Sequence, residues 1–299
     1  MLRTHGPLAS AMSRRMLLVA GTATATTLLT TAPARASNGV TGSLGALEEQ
    51  YGAQLGVYAH NVRTGETIRH RADTLFPICS LFKTLAAAAV LRDLDRDGEV
   101  LGRRIHYTAA DLVDNSDVTK DHLATGMTIS ELCDAAIRHS DNTAGNLLLR
   151  ELGGPTAITR FARSLGDPVT RLDRWETELN SGEPWRITDT TSPCAIGRTY
   201  ARLVLSDALG RPGRALLTHW LLHNQTSNTR LRAGLPSSWA VADKTGGGSY
   251  GTNNNVGIAW TEDGAPLVLS IMSRKFDQGA ATENKLIADT ALLLAGALR

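Results

Sequence analysis

Three short motifs that carry hydroxyl groups, two of them together with a lysine ammonium group, follow one another along the chain. They are Ser80-Leu81-Phe82-Lys83, Ser140-Asp141-Asn142 and Lys244-Thr245-Gly246. Between the second and the third lies a loop in which Glu176 and Asn180 can hold one water molecule and remove its proton. Together these groups can activate a serine nucleophile, bind an anionic acyl substrate and hydrolyse the acyl-enzyme that results.

The Ser80 motif is weak by itself, because Ser-x-x-Lys arises by chance about once in a chain of this length. Its context strengthens it: the apolar run that follows predicts a buried helix over residues 79–95. First-turn N–H groups of a helix favour developing negative charge, and positions three apart share a face, so Lys83 should lie beside Ser80. The alternative is a capping serine with a lysine that reaches solvent.

Each of the other motifs also has an ordinary structural interpretation. Ser140-Asp141-Asn142 precedes a predicted helix and can simply cap it. Glu176 and Asn180 can be solvated loop residues, and the glycines after Lys244-Thr245 can mark a flexible strand end. Four such signals in one order favour a shared site. In that site Gly246 and Gly247 let a substrate approach the strand, and a bare N–H faces an oxyanion.

The elements that must position these motifs change character along the chain. Two strands near residues 55–59 and 67–69 flank a turn, and strand-like runs return at 239–245, 255–260 and 267–272. Between them we predict helices near 128, at 142–152, 156–165, 193–209 and 212–223, and a long ordered loop over 167–193. A final helix covers about 281–297. The pattern predicts an α/β (α+β) protein whose five-stranded antiparallel sheet is built from both chain ends, with an inserted helical region.

The first 36 residues are predicted to be a twin-arginine signal peptide. Arg14-Arg15 precedes an apolar run shorter than the ~20 residues that a bilayer span needs, and residues 34–36 offer small side chains for cleavage. The alternative is a short anchoring helix. Removal of four arginines and no acids changes the net charge from +2 to −2 over 263 residues. We therefore expect an exported, secreted or periplasmic protein without a nucleic-acid partner and without membrane association after cleavage.

Cysteines and histidines give no sign of a cofactor. Cys79, Cys133 and Cys194 are odd in number, so we expect all three thiols to be free. His219 and His223 lie four residues apart on a predicted helix, and we interpret them as packing residues because apolar residues separate them. No His-x-His pair occurs in the sequence. We expect neither a metal nor an organic cofactor.

In these motifs the chain closely resembles the class A β-lactamases, in which all three recur. The resemblance extends over essentially the whole mature chain and is carried by residues 76–83, 140–146, 171–180, 189–191, 232–236 and 242–246. It implies the β-lactamase/DD-peptidase-like fold, a monomer, and a small-molecule β-lactam as substrate. The corresponding domains are a sheet domain of residues 37–76 and 230–299 and a helical domain of residues 77–229 that includes an active-site loop at 171–189.

The resemblance implies a role for each catalytic residue. Ser80 attacks the lactam carbonyl, and either Lys83 or Glu176, acting through a water, takes its proton. Ser140 passes a proton to the lactam nitrogen with the help of Lys244. Which group is the acylation base stays open.

The same resemblance implies how substrate and water are held. The backbone N–H groups of Ser80 and Gly247 form the oxyanion hole, Asn180 helps Glu176 to position the hydrolytic water, and Asn142 binds the acyl side-chain amide. Thr245 joins Lys244 and Ser140 at the substrate carboxylate, beside Gly246.

Four further expectations concern positions where the chain departs from or matches the family. Arg230 is expected to replace an arginine often found at position 253, which is Asn253 here; the alternative is a solvated arginine. Asn115 replaces an aromatic residue often found at the cleft mouth. Arg174 and Asp189 match a pair that pins the active-site loop, and the peptide bond after Glu176 is expected to be cis.

Two alternative functions share part of this sequence pattern. A D-Ala-D-Ala peptidase shares the nucleophile and the lysines but has no need for Glu176 and Asn180. A sensor domain that binds β-lactams without hydrolysing them requires a membrane tether and lacks a deacylating base.

Overall fold

The computed structural model describes residues 32–299. The twin-arginine pattern at residues 13–18 lies outside the described residues. The predicted cleavage residues 34–36 lie within the first helix, which begins at Ala32. Within the described part of the chain, no helix combines the length and the hydropathy needed to cross a bilayer.

The longer strands lie towards the two chain ends and most helices lie between them, as the sequence predicts. The helices are α1 (Ala32–Tyr51), α2 (Phe82–Ala89), α3 (Asp117–Asp121), α4 (Ile129–Asp134), α5 (Asn142–Glu151), α6 (Thr156–Ser164), α7 (Pro193–Leu205), α8 (Arg211–Leu222), α9 (Leu231–Gly234) and α10 (Asn284–Ala297). The strands are β1 (Gln54–Asn61), β2 (Thr67–His70), β3 (Phe76–Pro77), β4 (Arg104–Ile105), β5 (Met127–Thr128), β6 (Thr190–Thr191), β7 (Ala240–Gly248), β8 (Thr252–Trp260) and β9 (Pro266–Arg274).

One five-stranded antiparallel sheet in the order β2-β1-β9-β8-β7 unites the two chain ends. The first hairpin pairs Val57 with His70, and β1 then pairs with β9, so that Val57 faces Ile271. The prediction of one sheet built from both ends is therefore confirmed. β7 is an edge strand, and its register with β8 places Gly247 opposite Asn253.

Two hydrophobic cores lie on the two faces of this sheet. Along β9, Leu267, Leu269 and Ile271 join the core that packs against α1 and α10. Their neighbours Val268 and Met272 join the larger core shared with the helical region. This alternation is expected because successive side chains of a strand point to opposite faces. The domain boundaries near residues 76 and 230 stay predictions.

The helix that carries Lys83 is the centre of the larger core. A 3₁₀ turn at Cys79–Leu81 leads into α2, and every residue of α2 is buried. A π-helical turn at Val90–Leu94 continues it, so the predicted helix is confirmed, and it is buried as far as Val90. The predicted helix near 128 is α4, which begins with a capping box in which Thr128 and Glu131 each accept from the other's backbone N–H.

The loop over residues 171–189 is pinned at both ends. Arg174 Nε lies 2.6 Å from Asp189 Oδ2, and Asp189 Oδ1 accepts from the backbone N–H groups of Asp173 and Arg174. The peptide bond between Glu176 and Thr177 is cis. Both expectations for this loop are confirmed.

All three cysteines are free and buried, as expected. The packing interpretation of His219 and His223 is wrong, because both residues are exposed and their rings contact each other at a centroid distance of 4.2 Å. Helical periodicity explains the error: Leu217, Trp220 and Leu221 form the buried face of α8, and the two histidines lie outside it. No group of three or more His, Cys, Asp or Glu able to hold a metal occurs among residues 32–299.

Candidate active site

Ser80 lies in the turn that opens α2, and its hydroxyl faces two ionisable groups. The preceding residue, Cys79, adopts a left-handed backbone conformation with φ 45°, which turns the chain sharply from β3 into the helix. Ser80 Oγ accepts a hydrogen bond from Lys83 Nζ at 3.0 Å and donates one to Glu176 Oε1 at 3.3 Å. Ser80 itself is 6% exposed, so its hydroxyl lies at the floor of the site.

Lys83 is buried completely and is surrounded by oxygen atoms. Its Nζ lies 3.0 Å from Ser80 Oγ, 2.8 Å from Ser140 O, 2.6 Å from Asn142 Oδ1 and 3.1 Å from Glu176 Oε1. Burial lowers the pKa of Lys83, and the Glu176 carboxylate opposes that effect. The side chain is therefore buried with partners, and the interpretation of Lys83 as a residue that reaches solvent is wrong.

The Ser140 turn combines capping with chemistry. Ser140 has φ 59°, which turns its side chain away from the helix, and Lys244 Nζ donates to its Oγ at 3.0 Å. Asp141 caps α5 by accepting from Ala144 N at 2.8 Å. The capping interpretation thus holds for Asp141, whereas Ser140 and Asn142 both point towards the lysines.

Glu176 is held by its backbone as well as by its carboxylate. Its N–H donates to Asn146 Oδ1 and its carbonyl accepts from Asn146 Nδ2, both at 2.9 Å. Asn180 Nδ2 donates to Glu176 Oε2 at 2.5 Å. The other atom of that amide, Asn180 Oδ1, is buried without a hydrogen-bond partner in the protein. A buried amide oxygen normally has a partner, so Asn180 Oδ1 can accept a hydrogen bond from a polar ligand atom.

Two residues of α5 serve this arrangement and were missed in the sequence. A Cβ atom at Gly145 would lie 2.9 Å from Lys83 Cε, so the lysine occupies the space that a side chain would need. Asn146, one position on, fixes the backbone of Glu176. A glycine inside a helix was the available signal, since glycine in a helix interior is unfavourable without a packing reason.

Strand β7 brings the third motif against the Ser80 turn. Lys244 is buried completely, and besides Ser140 Oγ it donates to Thr245 O at 3.0 Å. The pKa of Lys244 is well below its usual value because the group is buried and because Lys83 and Arg230 repel its charge. A Cβ atom at Gly246 would approach Cys79 Cβ and the Ile78 carbonyl to 3.2 Å, so glycine permits this close packing.

Arg230 reaches the same strand from the segment between α8 and α9. Its Nη1 donates to Gly246 O at 3.2 Å, and its Nε donates to Asn284 Oδ1 at 3.0 Å. A Cβ atom at Gly247 would lie 3.9 Å from its Nη2. Burial lowers the pKa of Arg230. The alternative of a freely solvated arginine is therefore wrong. Asn284, at the start of α10, was not singled out in the sequence.

A buried carboxylate, also missed in the sequence, lies behind the third motif. Asp243 is fully buried, and Arg232 Nη2 lies 2.8 Å from its Oδ1. Asn255 Nδ2 donates to Asp243 Oδ2 at 2.6 Å, and the side chains of Asn224 and Ser227 add two more donors. These contacts fix the β7 residue that precedes Lys244.

Comparison with known proteins decides the family. The family described as "Beta-lactamase enzyme family" matches residues 40–298. A β-lactamase from Streptomyces cellulosae is 61% identical over 279 residues, which cover 89% of this chain and 90% of that protein. The chain belongs to the class A β-lactamases. A second β-lactamase, from Streptomyces fradiae, is 55% identical over 297 residues, which cover 96% of this chain and 97% of that protein.

Solved structures of β-lactamases share the fold. The β-lactamase from Streptomyces albus G superimposes with a TM-score of 0.86 at 57% identity, covering 87% of this chain and 100% of that one. The β-lactamase from Streptosporangium roseum gives a TM-score of 0.84 at 43% identity, covering 89% of this chain and 98% of that one. The predicted family, fold class and enzyme class are therefore confirmed: this chain is a class A β-lactamase, a hydrolase of β-lactams.

Proposed function

We propose that this β-lactamase acts through a covalent acyl-enzyme on Ser80 and releases its product with a water activated by Glu176. One observation carries the proposal. Lys83 Nζ and Glu176 Oε1 both lie within hydrogen-bond distance of Ser80 Oγ, at 3.0 and 3.3 Å. A nucleophile needs an adjacent base, and this hydroxyl has two candidates.

Acylation begins when Ser80 Oγ attacks the lactam carbonyl carbon and gives its proton to Lys83, or to Glu176 through a water. The backbone N–H groups of Ser80 and Gly247 stabilise the oxyanion. The carbon–nitrogen bond of the ring then breaks, and the leaving nitrogen takes a proton from Ser140. The proton that left Ser80 passes from its acceptor to Ser140 Oγ, which restores both groups before deacylation. Lys244 supports that transfer, since its Nζ donates to Ser140 Oγ at 3.0 Å.

Deacylation uses the other side of the same carboxylate. Glu176 takes a proton from a water that also contacts Asn180, and the resulting hydroxide attacks the ester carbonyl. The unpartnered oxygen of Asn180, buried beside Glu176, supports a water at this position. Collapse of the intermediate returns the proton to Ser80 Oγ and frees the product.

Substrate binding relies on charge and on the edge of β7. Lys244, Thr245 and Ser140 face the substrate carboxylate, together with Arg230, which lies against Gly246. Asn142 orients Lys83 through its Oδ1 and contacts the acyl side-chain amide of the substrate. The Glu176–Asn180 pair favours rapid hydrolysis of the acyl-enzyme. A D-Ala-D-Ala peptidase or a non-hydrolysing sensor does not need this pair.

Cellular location and assembly complete the proposal. We propose export through the twin-arginine segment at residues 13–18 and action as a monomer outside the cytoplasm, without nucleic-acid or membrane partners. Support comes from the sequence pattern and from the net charge of −2 after residue 36. Arg14→Lys with Arg15→Lys should block export of the full chain, which fractionation and activity assays would measure.

The decisive experiment follows nitrocefin hydrolysis by the purified chain from Ser37 onwards. Many turnovers per enzyme molecule that disappear in Ser80→Ala support the proposal. In Glu176→Ala, mass spectrometry should show the chain carrying one covalent substrate, because acylation continues while deacylation stops. A stoichiometric burst without turnover in the unmodified enzyme, or unchanged deacylation in Glu176→Ala, would refute the proposed mechanism.

A further inference from the structure

The segment that precedes α3 is hydrogen-bonded closely to the Ser140 turn. Val113 N donates to Thr143 Oγ1 at 3.0 Å, and Asn142 Nδ2 donates to Asp114 O at 2.8 Å. Asn142 N donates to Asn115 O at 3.0 Å. These contacts hold the backbone of Asn115 in place beside the active site.

The Asn115 side chain reaches the turn as well. Its Nδ2 donates to Ser140 O at 3.0 Å, and the same carbonyl oxygen accepts from Lys83 Nζ at 2.8 Å. A carbonyl oxygen has two lone pairs, so these two donors saturate it. Asn115 and Ser140 both have φ 59°, and asparagine tolerates this left-handed region better than most residues. An aromatic side chain at position 115 has no amide to offer.

Lys83 has more acceptors than protons. Four oxygens lie within 3.1 Å of its Nζ, whereas an ammonium group has three N–H bonds. Loss of one proton forces the lysine to give up another acceptor. If that acceptor is Ser140 O, Asn115 still donates to it, and the carbonyl is not left without a partner.

We propose that Asn115 is a positioning residue that acts on Lys83 through the Ser140 carbonyl and makes it easier for Lys83 to release a proton. The proposal rests on the acyl-enzyme mechanism given above. It assigns to the cleft mouth a role in the proton transfers of acylation, in addition to any contact with substrate.

Other charged and titratable groups also act on Lys83. Those that face it are Glu176 from the loop, Asp141 from the Ser140 turn, Cys79 from the turn before α2 and Lys244 from β7. Asp114 and Asp117 flank Asn115 on its own segment. Variants of Asn115 leave all of these groups in place. A change in Lys83 titration in Asn115→Gly therefore reports on the Ser140 carbonyl, whereas Asn115→Asp adds the effect of its own charge.

Two substitutions separate the hydrogen bond from backbone strain. Asn115→Gly removes the side chain and accepts the left-handed backbone. Asn115→Asp keeps the size of the side chain and tolerates φ above zero, but it replaces the donor by an oxygen and adds negative charge. Both should raise the pKa of Lys83, because its ammonium form becomes the main partner of Ser140 O, and the aspartate should raise it further.

The experiment measures the pre-steady-state acylation rate with nitrocefin between pH 5 and pH 10. We expect one limb of the profile to move to higher pH by about 0.5 unit in Asn115→Gly and by more in Asn115→Asp. The acid limb moves if neutral Lys83 is the acylation base, and the alkaline limb moves if Lys83 must be charged while Glu176 is the base. Asp117→Asn, which changes a charge on the same segment without touching Ser140, should leave both limbs in place.

The outcomes are distinct. Variant profiles that coincide with the parent profile, apart from a rate factor independent of pH, overturn the proposal and assign Asn115 to the cleft wall. Thermal unfolding of both variants shows that the comparison concerns folded enzyme. A parent enzyme that never forms a Ser80 ester overturns the acyl-enzyme mechanism itself, which the unmodified chain reveals before any Asn115 variant is made.

Discussion

Asn180 donates its Nδ2 to Glu176 Oε2 at 2.5 Å and leaves its own Oδ1 buried without a partner. The amide therefore orients the carboxylate with one atom and offers the other to a ligand. Ser80 contacts the opposite oxygen, Oε1, of the same carboxylate. In the proposed mechanism the Oε2 side therefore serves the hydrolytic water. A change at Asn180 should accordingly affect deacylation more than acylation.

Asn180→Leu is expected to lower kcat by about 100-fold while the acylation rate changes little, since leucine has a similar size but cannot hold the hydrolytic water. Stopped-flow burst kinetics measure both steps in one experiment, so the burst rate is an internal control. Equal loss of the burst rate and of steady-state turnover would contradict a role confined to deacylation.

Arg230→Ala is expected to reduce kcat/KM about 10–100-fold for substrates that carry a free carboxylate, because a hydrogen bond to a charged group is lost. Asn284→Ala should give a smaller decrease, since the guanidinium remains and loses one acceptor, the Oδ1 that lies 3.0 Å from Arg230 Nε and also accepts from Asn253 Nδ2 at 3.1 Å. The control is a substrate whose carboxylate is masked as an ester. If both variants affect the ester as strongly as the acid, Arg230 does not bind the carboxylate.

The sequence predicted which residues meet and which pair pins the active-site loop, but it did not predict most of the contacts that fix the site. Ser80, Lys83, Ser140, Glu176 and Lys244 were identified because their residue types and order are informative without coordinates. The predicted sheet also followed from strand-like runs at both chain ends. Such features can be predicted from the sequence because hydrophobic periodicity and the spacing within a motif depend only on residues close together in the chain.

The roles of the supporting residues could not be predicted from the sequence because they depend on contacts between distant segments. Gly145 is needed only because Lys83 occupies the adjacent space, and Asn284 matters only because Arg230 reaches it over 54 residues of chain. The error at His219 and His223 has a similar origin. Apolar neighbours suggested burial, whereas the face of α8 that packs inward was set by the tertiary fold.

Charge on Lys244 should control the alkaline side of the pH profile. Its pKa is well below the usual 10.5 because of burial and of repulsion from Lys83 and Arg230. Lys244 therefore loses its positive charge at a lower pH than an ordinary lysine does. With that charge it loses its attraction for the substrate carboxylate. We expect kcat/KM to decline well below pH 10.5.

Lys244→Arg tests this assignment, because a guanidinium stays charged throughout the accessible range. The alkaline limb of kcat/KM should move to higher pH in the variant, even if the maximal rate is lower. Measurement of kcat/KM between pH 6 and pH 11 for both enzymes suffices. Superimposable alkaline limbs would show that another group controls this limb.

The buried pair of Arg232 and Asp243 should dominate local stability beneath the site. Arg232→Ala leaves a fully buried carboxylate with neutral donors alone, and we expect the free energy of unfolding to fall by about 3 kcal/mol. Urea unfolding followed by circular dichroism measures the change. The comparison is the half-buried i,i+4 pair of Arg138 with Asp134, where Arg138→Ala should cost only about 1 kcal/mol because Asp134 stays in contact with water.

A double variant distinguishes the loss of an attraction from the exposure of an unpaired charge. Arg232→Met combined with Asp243→Asn removes both charges and should be more stable than Arg232→Ala, because no buried carboxylate remains without its cation. Nitrocefin turnover should nevertheless stay low in both, since Asp243 precedes Lys244 on β7 and its four donors fix that part of the strand. A double variant that is less stable than Arg232→Ala would mean that the carboxylate is needed by its neutral donors rather than by the arginine.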